Sequence, residues 1–238
     1  MDDLPGLTPI PYPTPARPLL GLTVLVVDDS LYACDAMRLM CLHSGARIRR
    51  ADCLRSARRH LQVYRPSVVI VDLGLPDGSG LDLINELASA SPRVTSILAS
   101  SGDDGAEAAA MAAGADGFLA KPLTNLGLFQ SKVLATLPGD RQPTGPRLAR
   151  QDTIHPDPIA YRDDMVHASN LLDETSEGPV INYIAQFLGG VARSADDAQL
   201  AHAADALRMP ERGGPALNAR LAQVAGLVQE RLGNRAAM

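Results

Sequence analysis

Three acids and one lysine stand in this chain at the points where separate strands would end. Asp72 closes the apolar run Val68-Val69-Ile70-Val71, and the chain then turns at once through Gly74, Pro76, Gly78 and Gly80. A second strand-like run, Leu22 to Val27, ends in the adjacent carboxylates Asp28 and Asp29; a third, Gly117 to Ala120, ends in Lys121-Pro122. Carboxylates gathered in one place repel and raise one another's pKa unless a cation stands among them, so the set predicts a divalent metal. Ligands that are all oxygen point to Mg²⁺ rather than Zn²⁺. With a metal drawing off phosphoryl charge and an ammonium opposite, Asp72 is placed to attack a phosphoryl group and form an aspartyl phosphate.

That convergence needs a parallel sheet. From Leu22 onward strand-like and helical patterns alternate: strands 22–27, 46–50, 68–72, 94–99 and 116–119, each followed by a helix, at 30–43, 53–63, 80–89, 104–112 and 124–136. Five such units imply right-handed crossovers and a doubly wound sheet whose strands all emerge on one edge, where function gathers. Ser30 is placed to cap the first helix and Gly45 to end it.

In order and spacing together these residues resemble the receiver domain of two-component response regulators. The resemblance spans residues 22 to about 137 and implies a flavodoxin-like α/β fold. It implies Asp28-Asp29 as the acidic pair, Asp72 as phosphoacceptor, Lys121 with a cis Pro122, and Phe118 as an aromatic switch that turns inward. It further implies Mg²⁺ bridging Asp29, Asp72 and the backbone carbonyl of Gly74, with Asp28 acting through metal-bound water. The family's Thr or Ser at the end of the fourth strand falls on Ala99 at the commonest spacing, so a shortened loop and Ser100 are favoured, with Ser101 close behind. The implied partner is a sensor histidine kinase or a histidine phosphotransfer protein. The domain is expected to be no enzyme beyond catalysing its own phosphoryl transfer and dephosphorylation.

The 238 residues suffice for two modest domains. Residues 1–20 carry Pro5, Pro9, Pro11, Pro13, Pro15 and Pro18 and read as an extended arm, 21–137 as the receiver, 138–158 as a breaker-rich linker, and 159–238 as helices only. Apolar residues at helical spacing in 160–172, 180–191, 197–207 and 216–232 predict a small bundle. The segment around Ala201-His202-Ala203-Ala204-Asp205-Ala206-Leu207-Arg208 loosely resembles a histidine phosphotransfer domain with Asp205 at the histidine position. That register implies a bundle kept for binding; the other register makes His202 a phosphoryl carrier. A kinase-binding scaffold or phosphate sink is the alternative function, and a homodimer stays open.

A net charge of −5, with ten Arg and no Lys against thirteen Asp and Glu in residues 139–238, argues against a DNA partner. No run approaches the ~20 apolar residues of a membrane helix, and Met1-Asp2-Asp3 does not open a signal peptide. A cytoplasmic location is expected. Cys34, Cys41 and Cys53 show no paired-ligand pattern and read as buried thiols.

Overall fold

A computed structural model describes residues 12–103, 105–145, 152–174, 178–208 and 215–233. Its first half is a five-stranded parallel sheet of β1 (Thr23–Val27), β2 (Arg47–Ala51), β3 (Val68–Asp72), β6 (Ser96–Ser101) and β7 (Gly117–Ala120). Between β3 and the next helix lies a two-residue ribbon, β4 (Gly74–Leu75) and β5 (Gly78–Ser79). The strand order β2-β1-β3-β6-β7 is the doubly wound arrangement read from the sequence. The two central strands, β1 and β3, are apolar and almost wholly buried, as strands covered on both faces must be.

Helices α1 (Leu31–Ser44) and α5 (Leu126–Ala135) cover one face of the sheet; α2 (Leu54–Val63), α3 (Gly80–Ser89) and α4 (Ala106–Ala112) cover the other. Ser30 caps α1 by accepting from the Ala33 amide, and Gly45 ends it at φ 84°. Both roles match the sequence reading, and the positive φ is a conformation glycine adopts without strain. Asn125 caps α5 in the same way, through the Leu128 amide.

Two boundaries differ from expectation. The proline-rich arm was read as extended through residue 20, but Thr14 and Arg17 form a turn and Leu19 is fully buried in the core beside Met40 and Phe129. The Leu19 amide also donates to the Ser44 carbonyl, which ties the arm to the end of α1. Residues 1–11 of the arm lie outside the described residues. The linker likewise returns to the sheet domain: Ile154 is buried in the same core, and Thr153 pairs with Asn125.

The second half is a bundle of α6 (Pro158–Glu174), α7 (Gly178–Ser194), α8 (Ala198–Leu207) and α9 (Pro215–Gly233), with its own core around Ile184, Leu188, Leu200 and Val228. Asp197 caps α8 through the Leu200 amide and accepts from Arg231 of α9 and the Tyr161 hydroxyl of α6, so one carboxylate joins three helices. The bundle lies against the sheet domain through α6 and α7, which pack on α1 and on β4.

Leu19→Ala should cost about 3 kcal/mol, the usual penalty for emptying a fully buried leucine site, read as a lowered urea midpoint; an unchanged midpoint would return the arm to a loose extension.

Candidate functional site

The strand register brings the chemistry together. Val27 lies level with Val71, Asp72 with Ser100, and Ser101 with Ala120, so β1, β3, β6 and β7 end at one edge. The residues just past those ends meet there. Lys121 Nζ lies 2.8 Å from Asp28 Oδ2 and 3.1 Å from Asp72 Oδ1. One ligand oxygen from each of Asp28, Asp29 and Asp72 falls within 4.8 Å of the others. The Lys121-Pro122 peptide bond is cis, and the Lys121 amide donates to the Ser101 carbonyl. Asp28 is itself held by the Ser30 amide at 3.0 Å.

Asp28 and Lys121 are buried, Asp29 and Asp72 partly so, and the electrostatics follow. Burial pushes the Asp72 carboxyl up to about 6, against the downward pull of the Lys121 ammonium and with Asp28 adding to the rise. Burial, then the Asp28 and Asp72 charges, hold Asp29 well above the usual carboxylate range. Burial works against the Lys121 ammonium, but the two carboxylates beside it outweigh that and keep it charged above its ordinary value. One ammonium does not satisfy three acids, and a divalent cation would reverse both raised carboxyls. The donor set, all hard oxygen, fits Mg²⁺.

Helix α7 lies across this edge. The Tyr183 hydroxyl donates to Asp29 Oδ2 at 2.5 Å. The Gln186 side chain packs so closely on Gly74 that a Cβ there would collide with it. Arg193 reaches the loop after β6, where its Nε would stand 2.8 Å from a Cβ on Gly102. From α6, Asp164, only 1% exposed, accepts from the Ser30 hydroxyl at 2.7 Å and from the Leu31 and Tyr32 amides. It thereby stabilises free donors at the N-terminus of α1 from another domain. Burial nonetheless pushes its carboxyl up to about 6. Arg208, at the end of α8, pairs with Asp103. Asp28, Asp72, Lys121, Gln186 and Arg193 therefore line one pocket.

Most residues expected at the site are in it: Asp28, Asp29, Asp72, Lys121 and Pro122 as described, with Gly74 beside Asp72 and a backbone hydrogen bond from Gly74 holding that carboxylate. The serine differs. Ser101, not the favoured Ser100, lines the pocket; Ser100 turns its hydroxyl to the Leu119 carbonyl on the other side of the strand. The cause is β6, which spans 96–101 rather than 94–99, because its last residues pair with Leu119 and Ala120. Phe118 is already buried in the core facing α2, α3 and α4, so the expected inward turn has no distance left to travel.

His202 and Asp205 sit exposed on α8, and neither lines the pocket; Asp205 instead pairs with Arg193. Cys34 and Cys41 are free and buried, whereas Cys53 is half-buried and caps α2 through the Ser56 amide. The sequence reading missed Asp164, Tyr183, Gln186 and Arg193. The available signal was polar: Asp164 falls in helical register with Tyr161 and Ala168 on the stripe that should be apolar.

Residues 24–131 match the family model described as the response regulator receiver domain. The match is to that segment, 108 of the 238 residues. Over 123 residues it is 30% identical to the KDP operon transcriptional regulatory protein KdpE of Escherichia coli, covering 52% of this chain and 54% of that one. Over 104 residues it is 34% identical to the probable transcriptional regulatory protein TcrX of Mycobacterium tuberculosis, covering 43% and 44%. The chain thus spans about half the length of the curated relatives it matches. Among solved structures, the chemotaxis response regulator CheY4 of Vibrio cholerae aligns at 25% identity and TM-score 0.44, over 49% of this chain and 98% of that one.

The raised Asp72 carboxyl fixes the sign of a pH effect. Its folded value of about 6 exceeds the 3.8 of a free side chain, so without metal its contribution to stability is present below pH 3.8 and is lost as pH rises through 6. Mg²⁺ needs the carboxylate, and its affinity should rise by about tenfold between pH 5 and pH 7, the change in ionised fraction for one group titrating at 6. Calorimetric titration of the full chain checks this, with Asp72→Asn flattening the dependence; equal affinity at both pH values would contradict it.

Proposed function

We propose that the chain is a two-component response regulator in which Asp72 accepts a phosphoryl group from a histidine of a sensor kinase or phosphotransfer protein, with the helical bundle answering at the phosphorylation site itself. The reading rests on the three carboxylates gathered within 4.8 Å, with Lys121 bridging Asp28 and Asp72.

An Asp72 oxygen attacks phosphorus, the bond from phosphorus to the histidine nitrogen breaks, and the imidazole keeps the electron pair. Lys121, already turned to Asp72 Oδ1, is placed to bind the phosphoryl oxygens as their charge is redistributed. Ser101 donates from the end of β6. Mg²⁺ held by Asp28, Asp29 and Asp72 would supply further neutralisation of those oxygens. The receiver carries out the transfer with its own residues and acts on no other substrate.

The bundle lies over the loops around Asp72. A donor histidine must reach a carboxylate that α7 covers, and Mg²⁺ must share Asp29 with Tyr183. Rearrangement of α7 therefore accompanies phosphorylation, and output runs through the rearranged bundle. The acidic balance of residues 139–238 is what favours an output other than DNA binding. His202 as a phosphoryl carrier draws no support from its place on α8.

Labelled phosphotransfer with Mg²⁺ should load the wild type and leave Asp72→Ala unlabelled. Tyr183→Phe keeps the ring, frees the Asp29 oxygen, and should speed labelling a few-fold. Label in Asp72→Ala would end the acceptor assignment, and an unchanged rate in Tyr183→Phe would end the gating role of α7.

A further inference from the structure

Arg193 is poorly explained by holding the bundle together. Its Nη1 bonds both oxygens of Asp205 at 3.1 Å, which joins α7 to α8. That leaves the other edge of the guanidinium, Nε and Nη2, turned to Gly102 of the receiver, at 2.8 Å and 3.2 Å from where a Cβ would stand. Nε is buried, and no hydrogen-bond partner meets it among the described residues. A buried guanidinium donor left without an acceptor is costly. Its neighbour along β6 is Ser101, and both residues line the pocket that holds Asp72 and Lys121. The counter-ion Asp205 is half exposed, with 49% of its side chain accessible, so the pair is screened by water and easily given up.

The Nε and Nη2 edge of an arginine is a fork that matches two oxygens of a phosphoryl group. Gly102 supplies the room for its approach, since any side chain there would collide with it. Lys121 lines the same pocket, 3.1 Å from Asp72 Oδ1, so an oxyanion on Asp72 would share that pocket with two cations contributed by different domains.

We propose that Arg193 is a phosphoryl-binding residue carried by the bundle, which exchanges Asp205 for the phosphoryl oxygens on Asp72 and so fastens α7 to the phosphorylated receiver. The inference rests on the reading of Asp72 as acceptor. Phosphorylation then does not simply expel the bundle: it costs the Tyr183 contact at Asp29 and adds one at Arg193, ten residues further along the same helix. Asp205 is the placeholder that keeps the guanidinium paired while the site is empty.

Beryllofluoride, a phosphoryl mimic, titrated calorimetrically into the full chain with saturating Mg²⁺ tests this. Arg193→Met should weaken binding by about tenfold, the lower end expected for one charge-assisted hydrogen bond, and Arg193→Lys should recover part of the loss. Asp205→Asn should strengthen binding a few-fold, because it releases Arg193. Opposite signs in the two variants separate the proposal from a structural salt bridge, whose loss would loosen the bundle equally from either side. Thermal melts accompany each titration, and Asp205→Asn with Arg193→Lys decide the matter should Arg193→Met fail to fold. Unchanged binding in Arg193→Met, or weaker binding in Asp205→Asn, overturns the role of Arg193 while leaving Asp72 as acceptor. Absence of binding to the wild type, or undiminished binding in Asp72→Ala, overturns the acceptor reading together with it.

Discussion

The ammonium of Lys121, held between Asp28 and Asp72 inside the protein, is the interaction on which the rest of the structure turns. Taking these charges out of water is unfavourable, and an unpaired member would be worse, with breakage of such a pair costing about 3–5 kcal/mol. The geometry has to be good for the cluster to exist at all. It is good because three strands deliver their last residues to one edge in matched register, and because the Lys121 amide is fixed to the Ser101 carbonyl of the neighbouring strand. The helix-capping serine, Ser30, holds Asp28 by its amide while its hydroxyl serves α1, so the same turn that starts the first helix also aims the first acid.

Even so, one lysine leaves the cluster short of positive charge. Three groups can make up the difference, and they compete. A proton can, as the raised carboxyls of Asp72 and Asp29 show. A divalent cation can, and the oxygens are close enough to share one. The bundle can in part, through the Tyr183 hydroxyl on Asp29. Because all three act on the same carboxylates, each changes the affinity of the others by the same factor in both directions. Metal, pH and bundle docking are therefore linked quantities.

Much of the receiver was legible because its signals are local. An apolar run that ends in Asp72 and meets glycines at once can only be a buried strand opening on a loop, and Ser30 and Gly45 mark their helix ends by chemistry. What stayed hidden was set by distance in sequence or by a small shift in register. Ser101 displaced Ser100 because β6 runs two residues further than its apolar stretch, drawn on by pairing with β7. Leu19 sits among prolines that suggest an open chain, yet the surface it covers on α1 and α5 is apolar and must be filled. The contacts of Asp164 and Tyr183 join residues more than a hundred positions apart, and no local pattern specifies the partner.

The placement of the bundle carries its own argument. A domain that touched only the far helices of the receiver would learn of phosphorylation second-hand, through whatever those helices relay. This one grips the start of α1 through Asp164, the turn after β3 through Gln186, and the loop after β6 through Arg193 and Arg208. Those are three of the loops that surround Asp72, the fourth being the one that carries Lys121. A phosphoryl group there must change the contacts of at least one of them, and a ligand shifts a conformational balance only by its differential interaction with the two states. Here the interacting surface and the reacting surface coincide, so the differential is built in without any relay. The cost is access: the same helix that can feel the phosphoryl group also stands in the way of its donor, and any sensitivity gained by close contact is set against a slower first encounter.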